Sequence, residues 1–213
     1  MKIFNLIFLC ATVFIGFVAC NKREIIPAPV VKIELESSFV GKIGGSTVEF
    51  TQNVGGYAGS SAPDLIIDAG SIDKAVYNAT MSSSGDSRSI TVGHGSLFFD
   101  SNASSVPAKT EFNAFFTNAA NIQPDFSNGG TSGFRVKFRD SAGRLWNSNE
   151  ANAYPLENVI YTNIRQESDN TGDYSSFRAD FACYVYRTWT DGVGTYTDSL
   201  LITDAVYKGW YKR

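Results

Sequence analysis

Histidine is almost missing from this chain: His94 is the single one among 213 residues. Cysteine is scarce as well, limited to Cys10, Cys20 and Cys183. Zinc sites draw on several such ligands, and a hydrolytic triad needs a nucleophile, a base and an orienting acid together. One histidine, with no G-x-S-x-G elbow anywhere, supplies neither arrangement, so no metal, cofactor or catalytic residue is nominated and the chain does not read as an enzyme. His94 lies in Gly93-His94-Gly95 and continues the inward parity of Ile90 and Val92, which gives it a structural role. Charged residues make up only 18% and the formal net charge is −3. Without a basic surplus there is no footprint for nucleic acid. No apolar run reaches the roughly 20 residues needed to span a bilayer; Leu6 to Val18 comes nearest.

That run has a different reading. Lys2 precedes it, and small Ala19 stands just before Cys20, which is the organisation of a secretory signal peptide. An uncleaved anchor is the competing reading. Phe17-Val18-Ala19-Cys20, with phenylalanine where leucine is usual, resembles the lipobox of bacterial lipoproteins. Bulky Leu9 makes Cys10 a poor competitor. The resemblance implies a signal peptide over residues 1–19, acyl chains on Cys20, and a membrane as partner. Asn21 is not the aspartate that retains enterobacterial-type lipoproteins at the inner membrane, so it also implies the outer membrane, at its periplasmic face or the cell surface. Only Cys183 is then left to the folded domain, which excludes an internal disulfide in a compartment that permits one. Its place between Phe181 and Val185 predicts a buried thiol.

Pro27 and Pro29 favour an extended tether over residues 20–36, ahead of a domain over 37–213. Phe39 to Ile43 and Thr47 to Thr51 alternate around Gly44-Gly45. A two-residue turn there places Ile43 across from Ser46, Gly41 from Val48 and Phe39 from Phe50. Leu65-Ile66-Ile67 reads as another strand, as do Ala75 to Met81 and the stretch from Ser89 towards Phe98. Phe134, Val136 and Phe138 alternate with Arg135, Lys137 and Arg139, and Asp140-Ser141-Ala142-Gly143 suits a type I turn with a bulge. Val159 to Ile164, Phe177 to Tyr186, Leu200 to Ile202 and Val206 to Tyr211 complete the set. Against this pattern, Phe112, Phe115, Phe116 and Ala119 follow helical spacing and predict one short helix near 110–120. The whole predicts an all-β antiparallel sandwich, with a barrel as the alternative. It looks like the β-rich lipoproteins of Gram-negative envelopes, a likeness of architecture that carries no site.

The suggestive residues are aromatic. Trp189 and Tyr196 flank Asp191-Gly192-Val193-Gly194, where flat rings could stack on a sugar or pack down on a sheet edge. Arg135, Lys137 and Arg139, with Arg178 beside them, could form a basic docking stripe or a solvated face. Asp169 to Asp173 lacks calcium-loop spacing and reads as a hairpin loop. The leading expectation is a lipid-anchored envelope protein that binds or supports an assembly without catalysis. A glycan-binding surface lipoprotein is the alternative, with an envelope glycoside hydrolase, needing a carboxylate pair that nothing nominates, as the second.

Overall fold

The computed structural model describes residues 32–67, 72–148 and 158–213. The signal segment, Cys20 and most of the tether lie outside these residues. The tether's last residues lie against the domain: Ile33 N–H donates to Asp169 at 3.1 Å, and the Leu35 carbonyl accepts from the Gln52 side chain at 3.0 Å.

β1 (Ser38–Ile43) and β2 (Ser46–Thr51) form the expected hairpin. The pairs Ile43–Ser46, Gly41–Val48 and Phe39–Phe50 are those that the double alternation dictates. Gly44 and Gly45 both take positive φ, 57° and 83°, which a two-residue turn of this hand requires. β3 (Tyr57–Ile66), β4 (Asp73–Ser83) and β5 (Ser89–Phe99) follow as an antiparallel meander. β3 departs from expectation, beginning eight residues before Leu65 in a Gly/Ser-rich stretch. Val76 and Tyr77 are consecutive yet both buried, because the β4–β5 register shifts between Ala75 and Tyr77.

The helix is α1 (Lys109–Thr117), with Phe112 and Phe116 buried. Glu111 accepts from the Ala108 N–H and satisfies one free donor of its first turn. The fourth member of the predicted stripe falls away. Asn118 turns extended and caps a separate turn, α2 (Ala119–Ile122), by accepting from Ala120 N–H, so Ala119 is exposed.

β6 (Gly133–Arg139) and β7 (Leu145–Asn147) pair as Phe138–Trp146, joined by the expected turn with Gly143 at φ 78°. β8 (Asn158–Asp169) pairs with the first half of β9 (Gly172–Thr190), and β10 (Thr195–Lys212) runs along the other edge of β9. All ten strands belong to one sheet in the order β2-β1-β10-β9-β7-β6-β5-β4-β3, with β8 on β9. The sheet curls into a half-barrel, so its arms face one another across the core. Lys212 N–H at the end of β10 donates to Ser61 of β3 at 2.9 Å, bringing the far arm round. The all-β reading therefore holds, in a form lying between two stacked layers and a closed barrel. The interior is aromatic: Tyr211 stacks on Phe177 at 4.4 Å and on Phe116 at 4.8 Å, and its hydroxyl shares a hydrogen bond with Tyr161 at 2.8 Å.

Candidate functional site

β9 and β10 outrun their neighbours. The last pairing of β7 on β9 is Asn147–Tyr186, and that of β1 on β10 is Ile43–Ile202. Beyond those points residues 187–201 continue as a two-stranded ribbon with no third strand beside it among the described residues. An isolated two-stranded ribbon needs side-chain help to persist in water.

Trp189 and Tyr196 supply that help. They sit directly across the ribbon and stack with ring centroids 4.7 Å apart at 26°. The indole N–H donates to Asp198 at 2.9 Å, the Arg187 guanidinium lies 5.9 Å from the indole ring, and Arg187 and Asp198 are 3.8 Å apart. The opposite face carries threonine pairs, Thr188–Thr197 and Thr190–Thr195, with hydroxyls 3.1 and 3.3 Å apart. At the apex Asp191 accepts from the N–H groups of Val193 and Gly194, closing a defined turn. Trp189 is half-buried and Tyr196 is 41% exposed. The rings are brought together, but against each other rather than side by side, so they offer one ring stack and not a flat row of faces. Trp146 and Trp210 do not join them. Trp146 is buried and bonded to Asp140 at 3.0 Å, and Trp210 meets Tyr174 edge-on at 5.5 Å.

The basic stripe disperses. Arg135 lies along the sheet where Gly93 leaves room; a Cβ there would stand 2.7 Å from its Nε. Its guanidinium is 3.8 Å from Asp64, which also accepts from Asn78. Arg139 donates to the Gly143 carbonyl, and Arg178 pairs with Asp180 at 2.6 Å in a different row, between Thr162 and Lys208. Asp169 accepts from Thr171 and from Ile33 N–H, bonds that lower its pKa to about 2. Asp169 and Gly172 pair across a two-residue turn, not a calcium loop. Cys183 is buried as its parity predicts.

His94 is what sequence reasoning half saw. Parity placed it inside, but its surroundings come from distant segments: Tyr161 stacks on it at 5.1 Å, and Phe115 and Phe116 stand 5.0 and 5.8 Å away. Neither ring nitrogen has a hydrogen-bond partner. Burial lowers its pKa to about 3; the Asn121 side chain pulls the other way without reaching hydrogen-bond geometry. Above it, Gly95, Phe115, Asn121, Asp125 and Thr131 line an open recess of about 460 Å³. A neutral ring sealed under that floor is no general base for a ligand in the recess. Among the described residues no three His, Cys, Asp or Glu side chains gather where a metal could bind, and no helix is long and apolar enough to cross a membrane.

At the ribbon tip, then, side chains order one another while Tyr196 stays 41% exposed. Compared with known proteins, the chain matches no family model, no curated protein and no solved structure.

Proposed function

We propose that this is a lipid-anchored envelope protein, acylated on Cys20, which uses the β9–β10 ribbon as a non-catalytic contact arm. The observation that carries the reading is the ribbon itself: among the described residues, 187–201 project past every neighbouring strand and end in a braced aromatic pair. Exposed tyrosine and tryptophan held in fixed rotamers give contact area at little entropic cost, which is why such residues anchor binding surfaces. The mutual stack leaves few free ring faces, which favours an envelope protein partner over a glycan laid across a platform. Glycan binding through the exposed Tyr196 is the second reading.

The anchor and the arm are tested separately. Cys20→Ser is expected to move the protein from the membrane to the soluble fraction, or to leave an unprocessed precursor, because multiple acyl chains hold stably where one does not. Normal processing with full retention in membranes would defeat the anchor. For the arm, a photo-crosslinking side chain replacing Val193 is expected to give one discrete adduct in cells. That adduct should vanish in Trp189→Ala/Tyr196→Ala with the denaturant midpoint of the domain little moved, since the pair stands outside the buried aromatic core and loosening the ribbon leaves the core contacts in place. No adduct, no retention of envelope polysaccharide, and a large loss of stability together would make the pair a buttress only.

A further inference from the structure

The end of the half-barrel opposite the arm carries an apolar lip. Adjacent residues of a strand point to opposite faces, so a strand lying over a core buries one of each pair. At the tip of β3 this fails: Leu65 and Ile66 are both more than a third exposed, Ile67 is 56% exposed, and Ile72, just before β4, is 66% exposed. Phe98 of β5 is 53% exposed and lies in the same cross-strand row as Ile66, with Lys74 between them. The Lys74 ammonium sits 5.9 Å from the Phe98 ring. Ile66 and Phe98 share one face of the sheet and Leu65 turns to the other, so with Ile67 and Ile72 the strand tip is apolar on both faces rather than at single scattered positions.

The position of this lip says what covers it. Ser61 is bonded to Lys212 at the end of β10, and β3 runs five residues further, about 16 Å, before Ile66. Arg213 N–H donates to the Asp173 carbonyl, and its guanidinium to Asp173 and Pro107, in the loop that follows β5. The β8–β9 turn, the C-terminus and the lip therefore share one end. The tether reaches the domain at that end, because Ile33 N–H is held by Asp169 of the same turn. Thirteen residues separate Ile33 from Cys20, a reach of at most about 45 Å. The arm lies at the other extreme of β9 and β10.

We propose that Leu65, Ile66, Ile67, Ile72 and Phe98 dip into the bilayer that holds the lipid on Cys20, fixing the domain upright with the Trp189–Tyr196 arm pointing away. The proposal rests on the anchored reading. The lip adds a weak second attachment to the acyl chains and converts a loose tether into a defined orientation. Lys74 stands at the level where an ammonium reaches lipid phosphate while its stem lies along the apolar row.

The test uses the chain from residue 20 onward carrying Cys20→Ser, made without residues 1–19; the compact unit, Val31–Arg213, is left whole. This protein is expected to cosediment with vesicles of phosphatidylethanolamine and phosphatidylglycerol. Ile66→Asp/Ile67→Asp/Phe98→Asp should lower the bound fraction about tenfold or more, by the area it removes from lipid, with an unchanged circular dichroism spectrum. A parent chain that stays in the supernatant overturns the lip, as does a variant that binds equally well. So does a concentration-dependent dimer that the variant abolishes while vesicles bind neither protein, for then a second copy covers the patch. Mass analysis of Cys20 in the envelope reads acylation by itself, so failure of the anchor and failure of the lip give different results.

Discussion

Phe134→Ala should remove about 3–5 kcal/mol of stability, the range for deleting a fully buried aromatic side chain. Phe134 is 0% exposed and lies near the start of β6, paired with His94 of β5 on one side and bridged to Phe126 on the other. Its ring meets Phe126 at 5.1 Å, Phe181 at 5.3 Å and Tyr161 at 5.9 Å, three segments far apart in sequence. The site cannot collapse cheaply, because its neighbours are fixed from both sides. Tyr161 is held by the Tyr211 hydroxyl, and Phe126 by a loop whose backbone bonds to Phe134 itself. Denaturant unfolding measures the loss; a change below about 1.5 kcal/mol would mean that the aromatic interior packs loosely enough to refill the space.

The same residue shows what was legible before any coordinates. Phe134, Val136 and Phe138 alternate without interruption, and so do both strands of the 39–51 hairpin; period-2 patterns flanked by turn glycines leave only one register. Where the backbone breaks the period, reading fails. Asn163 and Asp204 take positive φ, 53° and 51°, beside register shifts in β8 and β10, so parity cannot be carried across those strands. β3 is legible only at Leu65 to Ile67, its exposed tip and the residue just past it, while Gly59, Ser60 and Ser61 give no apolar signal despite pairing fully with β4. The arm was legible as two aromatics around a turn. Its projection was not, since that depends on where β7 and β1 stop, a property of other strands.

His94 carries the second large effect, and it appears with pH. Unfolded, the imidazole takes up a proton near pH 6.5; folded, burial holds that step down to about 3. A depressed histidine means that the unfolded chain binds more protons throughout that interval. Stability is therefore complete above pH 6.5 and lost as pH falls through the window, by up to about 1.4 kcal/mol per unit. Between pH 6.5 and 4.5 the loss should reach about 2–3 kcal/mol, a large share of an ordinary domain's stability. Asp169 and Asp173 also stabilise only while ionised, both held near 2. Burial of Asp173 opposes this, but Ser168, Lys109 and Arg213 outweigh it. The contribution of these carboxylates fades only below the unfolded carboxylate value near 4, so the upper window belongs to His94. His94→Leu keeps similar volume among Phe115, Phe116 and Tyr161, and it removes two buried nitrogens that lack partners. The variant should stay within about 1.5 kcal/mol of the parent at pH 7.5 and show a flat profile down to pH 4.5. A parent protein equally stable at both pH values would show that the imidazole is reached by water in solution, and a variant that kept the full slope would assign it to another group.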